Sequence, residues 1–185
     1  RLKVLIEEMI RGGENILDIG CGDGRIDFDL MQRNKEIDIK GLDVLIRAKT
    51  YIKVKKYDGY HIPMASNSVD TIMLIDVLHH VDDPKRLMKE LVRVSTSWII
   101  IKDHIRSGIC SYLKLRLMDY VGNAHYHVRL PYNYMTREQW KQLFEENGLY
   151  IEEYKEDLHL YSGIFHWLFD RKLHFIVKLQ VKKIC

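Results

Sequence analysis

The chain has 185 residues, 46% hydrophobic and 30% charged, which suits one domain with a single sizeable core. Its 29 Lys and Arg against 26 Asp and Glu leave a net charge of +3, too little for a protein that tracks nucleic-acid phosphates. No apolar run reaches membrane-spanning length, and Cys21, Cys110 and Cys185 follow neither disulfide nor metal-binding spacing.

Scattered cysteines imply a reducing compartment and hence the cytoplasm, and the first residues do not resemble a signal peptide. The chain opens at Arg1 in helical character rather than at a methionine, so further residues are expected before it. Its last fifteen residues, from Arg171 to Cys185, carry five Lys or Arg and no acid. A solvated edge strand is the expected reading there, with contact to an acidic partner, a membrane or a lipid as the lesser alternative. Oligomeric state is left open.

Leu2, Leu5, Ile6, Met9 and Ile10 fall at helical spacing, and Gly12-Gly13 ends that helix. Residues 15–19 (NILDI) read as a short buried strand stopping at Gly20, followed by a helix over residues 24–33. Residues 37–44 make a second strand, residues 51–57 a weaker third, and residues 69–77 the clearest strand of all. Asp82-Asp83-Pro84 starts a helix, with Asp as cap and Pro in the first turn, and Leu87, Leu91 and Val94 form its buried stripe. A fifth strand covers residues 98–102 (WIIIK).

Past Asp103 the alternation breaks, and residues 104–135 read as an insertion on the substrate side of a single domain spanning residues 1–185. Thr136-Arg137-Glu138-Gln139 is a capping box for a helix that buries Trp140, Leu143 and Phe144 and ends at Gly148. Strands over residues 149–154 and 173–181 complete seven, and their connection without a long helix predicts an antiparallel last strand. The expected fold is α/β: a three-layer, doubly wound, seven-stranded sheet that is mostly parallel.

A strand, a glycine turn and a helix together make a nucleotide site, because glycines let backbone approach the ligand and the helix start offers free N–H groups. The spacing here is Gly20-x-Gly22-x-Gly24, and Arg25 stands where the dinucleotide fingerprint needs another glycine. That opposes a pyrophosphate and leaves an NAD-dependent oxidoreductase as the third choice. Asp43 closes the second strand, where a carboxylate can accept both ribose hydroxyls. Ribose without pyrophosphate points to a nucleoside such as S-adenosylmethionine.

The run ILDIGCGDG resembles the first motif of class I S-adenosylmethionine-dependent methyltransferases, the seven-stranded Rossmann-like family. Asp43, then Asp58-Gly59 with Ile62-Pro63, then SVDTIMLIDVLHHVDDP follow in register, the last similar to the fourth-strand signature of the small-molecule branch. The match is good over residues 13–103 and rests on element order beyond them. The resemblance implies S-adenosylmethionine as cofactor and methyl transfer as the reaction. By the same resemblance Gly20, Cys21 and Gly22 line its methionine portion, with Asp18 ordering the turn or the amino group. Asp43 holds the ribose and Val44 packs on the adenine. Asp58 receives the adenine amino group, and Gly59 donates its N–H to the ring. Ile75 and Asp76 lie beneath the sulfonium.

Residues after strand five face the site of such a sheet, so His104 is the first candidate base and Asp103 the second. His79 and His80 read as packing and hydrogen-bonding residues, and Cys21 as chosen for size. In the insertion, Tyr120, Tyr126, Tyr132 and Tyr134 suit a small, moderately apolar acceptor, and Arg106, Arg116 or Arg129 could clamp an anionic group on it. A loop-rich cover over the sheet edge is the structural alternative. His125-x-His127 finds no completing ligand at metal spacing, so no metal is expected. Asp76-Val77-Leu78-His79 lacks the Pro-Pro-aromatic run of amino-methyltransferases acting on DNA bases. Residues 164–169 (IFHWLF) read as core or interface, or as a contact for a lipid-like substrate. A protein that binds S-adenosylmethionine without transferring its methyl is the alternative function.

Overall fold

The computed structural model describes residues 1–108, 110–123, 131–161, 163 and 172–182. Tyr126, Arg129, the His125-x-His127 pair and the aromatic run at 164–169 lie outside the described residues. The elements run α1 (Leu2–Met9), β1 (Asn15–Ile19), α2 (Arg25–Arg33), β2 (Asp38–Asp43), β3 (Val54–Lys56) and β4 (Val69–Ile75). A 3₁₀ turn (Leu78–His80), α3 (Pro84–Val94), β5 (Ser95–His104), α4 (Ser111–Asn123), α5 (Arg137–Glu146), β6 (Leu149–Glu156) and β7 (His174–Val181) follow.

The seven strands form one sheet in the order β3-β2-β1-β4-β5-β7-β6. β1 to β5 pair in parallel, and β7 lies antiparallel to both β5 and β6. Period-two alternation splits each central strand between two cores. Ile16, Met73, Ile100 and Ile176 face Leu5, Ile6 and Met9 of α1 and Leu30 of α2. Leu17, Leu74, Ile101 and Val177 face Leu87, Leu91 and Val94 of α3 and Trp140, Leu143 and Phe144 of α5. The result is the expected three-layer α/β sheet.

Sequence signals for the helix ends are realised as bonds. Asp83 caps α3 by accepting from Arg86 N at 3.0 Å, with Pro84 in the first turn. Thr136 and Gln139 exchange side-chain and backbone bonds at the start of α5, at 3.3 and 2.8 Å. Met88 joins Leu87, Leu91 and Val94 in full burial on α3, each worth about 1.5–3 kcal/mol of transfer from water.

Three elements differ from the sequence reading. β7, expected as a solvated edge strand, is buried between β5 and β6, because its apolar residues alternate into both cores while β6 takes the edge. β5 runs on through Asp103 and His104, both buried, because the Asp103 carboxylate and the His104 backbone N–H and carbonyl find partners inside the protein. α4 forms within the segment read as irregular. Its inner face carries Ser111, Leu115 and Asp119, while Leu113, Leu117, Tyr120 and Val121 are exposed. Polar residues inside and apolar residues outside erase the usual amphipathic period. Among the described residues, no helix is long and apolar enough to cross a membrane.

Candidate cofactor and acceptor site

Strand order reverses between β1 and β4, and a doubly wound sheet takes its ligand at the carboxyl ends beside such a reversal. Gly20 leaves β1 with a left-handed backbone (φ 74°), and a Cβ there would stand 2.6 Å from Val77 Cγ2. Gly24, left-handed at φ 71°, starts α2 where a Cβ would collide with Ile52. Glycine alone lets the chain fold back this tightly.

Asp43, at the end of β2, faces that turn. Its Oδ2 accepts from Gly22 N and its Oδ1 from Leu45 N, both at 2.8 Å. A carboxylate offers about four acceptor sites, so half of its capacity is left for a ligand. The next wall is a loop clamped to α3. Arg93 donates to the Ile62 and Met64 carbonyls at 2.9 and 2.8 Å, and Glu90 accepts from Ile62 N at 3.0 Å. Within the loop Asp58 accepts from Tyr60 N and His61 N, at 2.8 and 2.7 Å, and these two bonds hold its carboxyl below the ordinary range.

A cavity of about 290 Å³ joins these parts. Gly20, Asp43, Val44, Asp58 and Gly59, all expected at the cofactor, line it together, with Tyr57, Val77 and His80 added. The other expected residues lie around it. The Cys21 side chain packs against Gly41, and burial first, then Asp18, pushes its thiol pKa up, so it stays protonated. Asp18 is buried beneath the turn against Asp27, and burial first, then that neighbour, pushes its carboxyl well up. Ile75 packs on the α1–α2 side of the sheet. Asp76 turns out of β4 in a left-handed conformation (φ 57°), and both its oxygens accept from Lys102 Nζ, at 2.6 and 2.7 Å.

Behind His80 lies a buried polar cluster at the ends of β4 and β5. Asp103, fully buried, accepts from Leu78 N at 3.0 Å, His79 Nδ1 at 2.6 Å and His104 N at 2.7 Å. Burial alone would raise its pKa, but the charge of His79 and the bonds from both histidines hold it well below the carboxylate range. Burial likewise pulls His79 down, and Asp103 and Asp119 outweigh it to set about 10. His80 is pulled down to about 4 by burial and then by His79. His104 stands edge-on to His79 and Tyr134, and its carbonyl accepts from Trp140 Nε1 at 3.0 Å.

A second cavity, of about 550 Å³, is lined by Asp82, Arg106, Tyr112, Tyr132, Asn133 and Tyr134 among others. Asp82 lines both cavities, so the two share a wall. Arg116 stacks over the Tyr132 ring at 4.6 Å and is not among the residues that line this space. A larger hollow of about 780 Å³ near Asn67, Gly148 and Val181 sits at the opposite end of the strands, away from every one of these groups.

A methyltransferase-domain family model matches residues 2–154. This chain belongs to that family. Solved structures agree on the fold. A chain from the complex of the Haloferax volcanii Trm112 methyltransferase activator aligns with TM-score 0.74 and 13% identity, over 100% of this chain and 89% of that one. An S-adenosylmethionine-dependent methyltransferase from Mesorhizobium loti aligns at 0.70 and 16%, over 96% of each. The [4+2]-cyclase SpnF aligns at 0.68 and 16%, over 97% of this chain and 79% of that one. No curated protein matches. Because one neighbour is named for a cyclisation, the likeness establishes the class I fold and leaves the reaction to the site.

For a methyltransferase-family chain, the cavity residues fit S-adenosylmethionine. Asp43 keeps acceptor capacity for two hydroxyls beside a turn with no side chain at Gly20, Gly22 or Gly24, and Val44 offers an apolar side chain at the same wall. Sequence reasoning missed Asp27 and Lys102. The signal for Asp27 was its place on the buried stripe of α2, one turn before Leu30, where an apolar residue belongs. Lys102 ends an apolar strand and gave no such signal until β7 covered it.

Proposed function

We propose that this chain transfers a methyl group from S-adenosylmethionine, bound at the glycine turn, to a small, moderately apolar acceptor in the tyrosine-lined cavity. The observation that carries the reading is the shared wall: His80, Val81 and Asp82 line the first cavity, and Asp82 also lines the second. When bound, the cofactor supplies a methyl group already activated by its positive sulfur. The protein's part is then to place the acceptor in line and to exclude water. Tyr112, Tyr132 and Tyr134 give aromatic walls, and Arg106 offers a charge for an anionic substituent. His104 and Asp103 line neither cavity, so their proposed role runs through His79, which Asp103 holds in place. They are positioning residues in this reading. A cytoplasmic setting belongs to it as well, supported by the unpaired Cys21 and Cys110.

The absence of His104 from both cavity linings also favours a second reading, a protein that binds S-adenosylmethionine without turnover. Calorimetry with S-adenosylmethionine, its demethylated product and NAD, followed by incubation with a labelled methyl donor and a cell extract, separates the readings. Binding of the first two with label appearing on a small molecule supports transfer. Binding with no labelled product at any extract concentration supports the second reading, and tight binding of NAD alone refutes both.

A further inference from the structure

We infer that His79, His80 and Asp119 form a binding site for one divalent transition-metal ion, set between the two cavities. The histidines come from the 3₁₀ turn after β4, and Asp119 comes from the inner face of α4. Their ligand atoms lie within 4.8 Å of one another. His79 is 1% exposed, yet its Nε2 has no hydrogen-bond partner among the described residues, and neither has the buried Nδ1 of His80. Buried side-chain nitrogens nearly always find a partner. An open nitrogen of His79 facing a carboxylate, with a second imidazole beside it, marks a place prepared for something else.

The spacing suits a metal. His79 Nε2 stands 3.4 Å from Asp119 Oδ2, within ion-pair range but outside hydrogen-bond geometry. Two ligands each about 2.05 Å from a tetrahedral zinc ion are about 3.4 Å apart. The outer contacts are those a metal-bound histidine needs. Asp103 takes the Nδ1 side of His79 at 2.6 Å, which orients the ring and directs Nε2 to the site, and the Tyr134 hydroxyl donates to Asp119. His79 thus lies between two carboxylates, where positive charge is favoured in either form, a proton or a metal ion.

A competing set, Asp76, His79, Asp103 and His104, does not serve. Lys102 occupies both oxygens of Asp76, and His79 Nδ1 is already bonded to Asp103. Two imidazoles and one carboxylate suit zinc or a neighbouring first-row ion and leave coordination positions open for water or a ligand oxygen or nitrogen. His80 lines the cofactor cavity and Tyr134 the second, so such an open position is near both. If the methyl-transfer reading holds, the acceptor class becomes a molecule with an oxygen or nitrogen donor at the reacting end. The metal site itself does not depend on that reading. Reading the sequence for ligand spacing pointed away from metal because Asp119 is brought in by the fold, from a helix the pattern concealed.

The test is metal affinity of the full chain after chelation, by calorimetry with Zn²⁺ and by the visible spectrum with Co²⁺. One ion per chain is expected. His80→Ala and Asp119→Asn should each weaken binding by more than the about 10–100-fold that loss of an outer-shell partner costs, and Asp103→Asn should fall within that range. His80 is partly exposed, and the amide oxygen introduced by Asp119→Asn would still accept from Tyr134, so folding of both variants is checked by melting and that of Asp119→Asn also by binding of the demethylated cofactor. Absence of stoichiometric binding in the wild type overturns the site. So does binding unchanged in both variants, as would follow if His125 or His127 were the ligands.

Discussion

Replacing Asp27 with Ala should stabilise the protein at neutral pH and lose that advantage in acid. Asp27 is fully buried on α2, and neither carboxyl oxygen has a hydrogen-bond partner among the described residues. Its neighbour Asp18 is equally an acceptor when ionised, so the two can bond only through a shared proton. Burial raises the Asp27 pKa from 3.8 to about 6. At about 1.4 kcal/mol per pH unit, that corresponds to about 3 kcal/mol against the ionised form. Below 3.8 both folded and unfolded chains carry the proton, and this penalty is absent. Between 3.8 and about 6 the folded state keeps a proton that the unfolded state releases, so stability falls as pH rises. Above about 6 the full penalty is present. Truncation to Ala removes it at a cost of about 1 kcal/mol for the void. The net gain of about 2 kcal/mol at pH 7.5 is roughly 4–8 °C in Tm for a chain of this size. Urea and thermal unfolding of both proteins at pH 7.5 and near pH 4 test this. A gain of equal size at both pH values, or none at pH 7.5, would refute the buried-acid argument.

Asp43→Asn keeps one accepting oxygen where two now serve Gly22 and Leu45, so affinity for the demethylated cofactor should drop at least about tenfold by calorimetry. Unchanged affinity would remove Asp43 from the ribose position. Gly24→Ala forces a side chain into a left-handed position against Ile52 and should cost about 1–3 kcal/mol in urea unfolding. Trp140→Phe strips the donor from the buried His104 carbonyl and should cost about 1–3 kcal/mol, and a loss near zero means that another donor replaces it.

Much of the fold was legible in the sequence because each signal there was local. NILDI, the Asp83-Pro84 start and the Thr136–Gln139 box act through neighbours within one turn, so their outcomes are the same in almost any surroundings. The glycine turn belongs to this group, and with Asp43, Asp58 and Gly59 it lines a single cavity. The centre beside that cavity was not legible. His79, Asp103, Asp119 and Lys102 are polar residues buried by long-range pairing, and their partners come from a strand end, a helix and an antiparallel strand far apart in the chain. Periodicity reads burial from apolar residues, so α4 was hidden by its inverted pattern and the end of β5 by its charges. Sequence alone determined the sheet and the turn. Only the tertiary structure decided which buried charges meet, because a buried carboxylate or imidazole is tolerable only where the fold supplies its partner.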